Sequence, residues 1–201
     1  MMILRSSPPS PFGRKVKIAA ALLGLKEQIE IVMTDTNDPG DSIRQQNPLG
    51  KIPALVLEDG NVLFDSGVIV EYLDWLAGGG RLIPLEPRAR FQTLTLAALT
   101  NGIMDASILQ IYEERFRDPV KQEPKWLAYQ AEKVSRGLFV LEARPPMGSR
   151  DVAHIGLACA LGYLDLRFAG SWRSDHPKLV AWLDEFAAEV PTFEATRFIP
   201  S

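Results

Sequence analysis

Two short stretches carry residue types at spacings suited to binding a peptide. In the run Asn47-Pro48-Leu49-Gly50-Lys51-Ile52-Pro53, a proline stands where a loop turns into a strand. Proline cannot donate to a β-ladder and biases the residue before it to extended geometry. Ile52 would then present its own N–H and C=O to an extended ligand, as an edge strand does, the more so if the Ile52–Pro53 bond is cis. Further on, Asp65-Ser66 stands ahead of Val68, Ile69, Tyr72, Leu73 and Leu76, apolar residues at helical spacing. A hydroxyl and free N–H groups at a helix N-terminus favour a carboxylate, and the neighbouring Asp65 carboxylate favours an ammonium. An amino-acid head group carries both charges on one carbon and fits such a pair.

These residues need a scaffold, and the chain supplies one in order. Met1–Ser6 reads as a strand running into a Ser-Pro-Pro loop that ends at Ser10. From Pro11 the apolar set Val16, Ile18, Ala19, Leu22 and Leu23 recurs at helical spacing, with Arg14, Lys15 and Lys17 expected mostly away from it and Gly24 as the stop. A serine just before a proline in the first turn is the usual start signal. Ile29–Met33 is a second strand, parallel to the first because a helix joins them. Thr34–Gln46 is polar and loop-like, with room for one helical turn before Asn47. Ala54–Leu57 and Val62–Phe64 flank Glu58-Asp59-Gly60-Asn61 as an antiparallel hairpin, and the Asp65 helix closes the module near Ala77.

Gly78-Gly79-Gly80-Arg81 marks a break in composition. It divides the chain into a βαβ-ββα domain over 1–79, a linker over 80–86 and an all-helical domain over 87–201. The helical half should hold Pro87–Glu114, as one helix or two joined near Gly102, then Trp126–Ala143, a helix capped by Asp151 with apolar residues on nearly all sides, and Pro177–Glu189.

Composition narrows the function. With 25 acidic and 22 basic side chains, the net charge of −3 argues against nucleic acid and anionic membrane surfaces as partners. No apolar run of transmembrane length is evident, and Arg5 interrupts the only hydrophobic start, so a soluble, unprocessed chain is expected. The single cysteine, Cys159, excludes an internal disulfide and a Cys-x-x-Cys redox or zinc site, and no metal site is expected. A reducing cytoplasm is consistent with this.

Taken together, Ser10-Pro11-Phe12-Gly13-Arg14-Lys15, the Asn47–Pro53 run, Asp65-Ser66 and Asp151-Val152-Ala153-His154-Ile155 resemble the glutathione S-transferase family over nearly the whole chain. The likeness is to bacterial, serine-type members. It implies an α+β thioredoxin-like N-terminal domain followed by an all-α C-terminal helical domain. It also implies glutathione as cosubstrate: Ile52, before a cis Pro53, would pair with the cysteinyl unit, Asp65 and Ser66 would hold the γ-glutamyl ammonium and carboxylate, and Lys51 would lie near a ligand carboxylate. Ser10 occupies the position from which serine-type members donate a hydrogen bond to the sulfur. A free thiol is only a few per cent ionised at neutral pH, so a hydroxyl donor and a helix N-terminus would raise the thiolate fraction.

The resemblance further implies an electrophilic small-molecule substrate, a homodimer and a cytoplasmic location. In relatives an acid on the first long helix reaches across the dimer interface to the ligand's ammonium, a role open to Asp105, which also reads as a solvent-facing residue. Tyr112, Phe116, Trp172 and Phe12 are candidates for lining an apolar second-substrate pocket. Glutathione-dependent isomerisation or dehalogenation would use the same site. A non-catalytic protein-interaction module of the same fold is the alternative reading, and disulfide exchange is disfavoured because serine, not cysteine, stands at position 10.

Overall fold

The computed structural model describes residues 1–148 and 150–200. Its sheet runs in the order β2-β1-β3-β4. β1 (Met2–Ser6) pairs in parallel with β2 (Ile29–Met33) through α1 (Pro11–Leu22). β3 (Ala54–Val56) lies antiparallel to β1 with Arg5 opposite Ala54, and β4 (Val62–Leu63) lies antiparallel to β3. The hairpin strands are shorter than their apolar runs suggest, ending at Val56 and Leu63 rather than Leu57 and Phe64. α2 (Ile43–Gln46) supplies the single helical turn before Asn47, and α3 (Ser66–Leu76) follows the hairpin. The core of this part is Leu4 and Leu55 from the sheet, Val16, Ile18 and Ala19 from α1, and Ile69, Val70 and Leu73 from α3.

Three cations lie inside, against the expectation for two of them. Arg14 and Lys15 were expected to turn mostly away from the apolar face, yet both are buried, and Lys17 is half-buried. Arg14 stacks over the Phe193 ring at 3.9 Å and donates to the Phe193 carbonyl and to Thr196 Oγ1, so a short helix near the chain end, α8 (Pro191–Ala195), covers it. Lys15 faces inward because it sits one turn before Ile18, Ala19 and Leu22 on the same helical face. Arg5 ties β1 to the following loop through Thr34 Oγ1 at 2.9 Å, Ser42 Oγ at 2.8 Å, Gln46 Oε1 at 2.7 Å and Asp41 Oδ1 at 2.6 Å. Each buried charge is thus hydrogen-bonded, which offsets the cost of taking it out of water.

The stretch after α3 is held by Asp74 and by its own Arg81, whose guanidinium donates to the Leu22 and Leu23 carbonyls at 2.8 and 3.1 Å. Buried Asp74 accepts the main-chain N–H groups of Gly80 (3.0 Å), Arg81 (3.1 Å), Leu82 (2.7 Å) and Ile83 (3.4 Å).

Beyond it the described chain is helical: α4 (Pro87–Phe116), α5 (Pro124–Ala143), α6 (Val152–Phe168) and α7 (Pro177–Glu189), with short 3-10 turns at Pro119–Lys121 and Arg173–Asp175. α4 is one helix, so Gly102 marks no joint. By length and composition α4 is apolar enough to cross a membrane, which corrects the expectation that no such stretch exists. Its Ile103, Met104, Ala106 and Ser107 are nevertheless buried in protein, as in a core helix. α6 is buried along most of its length and approaches α4 closely: a Cβ on Gly156 would meet Thr100 Oγ1 at 2.4 Å. By compactness the chain forms two units, Met1–Thr93 with Val190–Ser201, and Leu94–Glu189. The closing segment therefore groups with the sheet, whereas composition alone assigns it to the helices.

Asp151 caps α6 as the sequence suggested, its Oδ1 accepting the N–H of Ala153 at 2.9 Å and of His154 at 3.1 Å and meeting His154 Nδ1 at 2.7 Å. Burial alone would raise its pKa, but these hydrogen bonds and the His154 ring outweigh burial and hold it below the ordinary 3.8. A depressed folded-state pKa contributes stability that is complete above 3.8 and is lost as pH falls through the lowered value. Asp151→Asn keeps a cap oxygen and loses the titration. Its urea midpoint is expected to drop less than that of the wild type between about pH 6 and about pH 3.

Candidate functional site

The strand register gathers the candidate residues of the first unit at one edge of the sheet. Arg5 opposite Ala54 is the last pair between β1 and β3, so Ser7–Ser10 and Ile52–Pro53 leave the sheet side by side. Leu55 pairs with Leu63, and the same antiparallel register carries Phe64 and Asp65 back alongside Ala54 and Pro53. The Ile52–Pro53 and Phe64–Asp65 peptide bonds are both cis. α1 and α3 start from this edge, so two helix N-termini, each with unsatisfied N–H groups and partial positive charge, open there.

Ser10 is the N-cap of α1, its Oγ accepting the Gly13 N–H at 3.1 Å. The hydroxyl proton of Ser10 goes to no described residue. Asp65 is the N-cap of α3 and accepts the Gly67 N–H at 2.8 Å while remaining exposed. Ser66, the first residue of α3, is buried, and its Oγ accepts from Lys15 Nζ at 3.4 Å. Neither the N–H nor the C=O of Ile52 is hydrogen-bonded to any described residue, although buried Asn47 braces the loop around it. Asn47 Nδ2 donates to the Lys51 carbonyl at 2.9 Å, its Oδ1 accepts from Leu49 N–H at 3.0 Å, and its own carbonyl takes the Gly50 N–H at 2.8 Å. Gly50, with φ of 62°, permits that tight turn. The Lys51 side chain is exposed.

The remaining candidates belong to the second unit. Asp105 is an exposed residue of α4, and Cys159 is buried in α6. Tyr112 and Phe116 form an edge-on ring pair 5.3 Å apart, while Phe12, in the first unit, is half-buried. Trp172 donates its Nε1–H to Asp165 Oδ1 at 2.9 Å and lines a cavity of about 240 Å³ with Val134, Leu138, Leu164, Phe168 and His176. Tyr112 and Phe116 do not line it.

Sequence reasoning missed Lys15 at this edge. The signal was present, since Lys15 falls in register with Ile18, Ala19 and Leu22, but charge was weighed above position. The chemistry of the edge follows from what it holds. The chain's two histidines and one cysteine, His154, His176 and Cys159, all lie in the second unit. The first unit therefore brings hydrogen-bond donors, acceptors and helix termini to this edge, and no imidazole or thiol of its own.

Residues 9–76 match the family model for the N-terminal domain of glutathione S-transferase. The chain is 35% identical, over 89% of its own length and 90% of the relative's, to the uncharacterized GST-like protein YibF of Escherichia coli K12. A glutathione transferase family member from Pseudomonas fluorescens Pf-5, solved with bound glutathione, superposes with a TM-score of 0.93 at 43% identity, covering 100% of both chains. The same Pseudomonas protein, solved with bound S-(propanoic acid)-glutathione, superposes with a TM-score of 0.88 at 43% identity over 98% of this chain and 99% of that one.

Replacing the cap at the start of α1 tests the local geometry separately from any ligand. Ser10→Ala is expected to lower stability by about 1 kcal/mol, read as a lower urea midpoint with an unchanged slope. Ser10→Asn, which retains a cap oxygen, should recover most of it.

Proposed function

Because this chain belongs to the glutathione S-transferase family, we propose that it binds reduced glutathione at the sheet edge and transfers it to an electrophilic small molecule. The observation that carries this reading is the set of uncommitted hydrogen-bonding groups there: the main chain of Ile52, the hydroxyl proton of Ser10, and the N-terminus of α3 with Asp65 and Ser66. Glutathione has a part for each. Its cysteinyl unit pairs in extended form with Ile52, its γ-glutamyl carboxylate meets Ser66 and the N-terminus of α3, and its ammonium meets Asp65. Lys51 offers a positive charge to a ligand carboxylate.

Ser10 and the N-terminus of α1 then stabilise the sulfur as thiolate by a hydrogen bond and a dipole. The ordinary thiol pKa of about 8.5 leaves little thiolate at neutral pH, so lowering it raises the nucleophile's concentration. The thiolate's electron pair forms the new carbon–sulfur bond while, at the same carbon, either a leaving group departs with the pair of its broken bond or a π bond opens and its pair takes a proton from solvent. Glutathione substituted at sulfur is the form such a transfer makes, and the Pseudomonas relative was solved with a ligand of that kind. Association as a homodimer, a role for Asp105 at the ligand's ammonium, and residence in a reducing cytoplasm rest on the family alone.

Calorimetric titration with reduced glutathione tests the reading. The wild type should bind with a dissociation constant in the millimolar range or tighter, and Asp65→Ala should weaken it about tenfold. Ser10→Ala should lower turnover by about tenfold or more while changing glutathione affinity little, with a matching loss of thiolate ultraviolet absorbance in the binary complex. A wild type that shows no binding overturns the reading and leaves a non-catalytic interaction module of the same fold.

A further inference from the structure

We propose that Lys15 is a positioning residue of this edge: its buried ammonium holds the Ser66 hydroxyl so that the hydroxyl proton is presented to the carboxylate of an α-amino-acid head group at the N-terminus of α3. The inference rests on the glutathione reading above.

Lys15 is 1% exposed and Ser66 is 2% exposed. An ammonium is costly to bury, and lysine is rarely placed so deep without a polar requirement. Nζ of Lys15 stands 3.4 Å from Ser66 Oγ. The direction of that contact is fixed by chemistry, because an ammonium has donors and no acceptor. Ser66 Oγ must accept, which engages a lone pair and leaves its single hydrogen to point elsewhere. No described residue accepts that hydrogen.

The surroundings show where it is useful. Ser66 opens the 11-residue helix α3, and Asp65 Oδ1 already takes the Gly67 N–H. The N–H groups of Ser66 and Val68 have no hydrogen-bond partner among the described residues. A carboxylate at this terminus would accept from those N–H groups and from the Ser66 hydroxyl, with the Lys15 charge behind it. The position of Lys15 is itself fixed by close packing of α1 on β1. A Cβ on Gly13 would stand 2.1 Å from Ser6 Oγ, so α1 lies against the strand with no room for a side chain between. Lys15 touches the ligand only through Ser66. Its contribution is the orientation of a hydroxyl and a positive potential, and the selectivity it confers is for a free α-carboxylate.

The test compares two ligands by calorimetry, reduced glutathione and γ-aminobutyryl-cysteinyl-glycine, which lacks only the glutamyl carboxylate. Lys15→Met should weaken glutathione binding about tenfold and leave the decarboxylated analogue unchanged, Lys15→Arg should restore much of the loss, and Ser66→Ala should repeat the Lys15→Met pattern. The double variant should be no weaker than the worse single one, because the two act as a unit. A purely structural lysine would move the unfolding midpoint and both ligands together. Lys15→Met binding glutathione as the wild type does, or losing both ligands equally, overturns the proposal. Should Lys15→Met not fold, Lys15→Gln decides: weakening confined to glutathione supports the proposal, and both ligands unchanged or both weakened equally overturns it. A wild type that binds neither ligand overturns the glutathione reading itself, and this inference with it.

Discussion

The packing of α1 against β1 and α3, and of α3 against β3, is the constraint from which the rest of the first unit follows. The βαβ connection makes β1 and β2 parallel, and the antiparallel return of β3 brings a loop–strand junction back to the end from which α1 starts. Helices that begin where strands end direct their positive termini to one edge. With the Arg5–Ala54 pairing in place, Ser10, Ile52, Asp65 and Ser66 are neighbours although their positions span more than fifty residues of sequence. A slip of one residue in that register would turn Leu55 from the core to the opposite face, so hydrophobic burial and the layout of the edge are specified by the same interaction.

Much of this was legible in the chain because the signals were local. Ser10 before Pro11 and Asp151 before the α6 residues each announce a cap, and each side chain accepts N–H groups of its helix; at the start of α3 the cap is Asp65, with Ser66 one residue inside the helix. Pro177–Glu189 forms with the bounds its periodicity gives. The residues that escaped depend on distant partners. Arg14 is inside because Phe193 and Thr196 come back to meet it, and nothing near position 14 announces that return. Arg5 is inside because a loop some thirty residues on supplies Thr34, Asp41, Ser42 and Gln46. β3 stops one residue before the end of its apolar run because Leu57 already belongs to the turn, its N–H donating to the Asn61 carbonyl at 2.8 Å. α4 illustrates the opposite case, in which composition permits a membrane span while Ile103 and Met104 are buried against protein.

The chemistry of the edge is economical in residue types. The first unit brings no imidazole and no thiol to it, and Ser10 and Asp65 act as caps for the helices they start. A hydroxyl that accepts from the backbone or from a lysine still has a proton to give, so the bonds made at the two helix starts leave each hydroxyl a donor for the proposed ligand. On the proposed reading, folding and function meet at Ser10 and Ser66.

The glycine-rich segment after α3 has the composition of a flexible tether, but Asp74 changes its mechanics. One carboxylate gathers the amides of Gly80 to Ile83 back onto α3. Those amides cannot open singly without leaving a buried carboxylate short of donors, so the segment should open together with the last turn of α3 as one cooperative unit. Solvent exchange at positions 80–83 would then be governed by the unfolding of a helix end rather than by loop motion. What composition marks as a linker behaves as an extension of the helix.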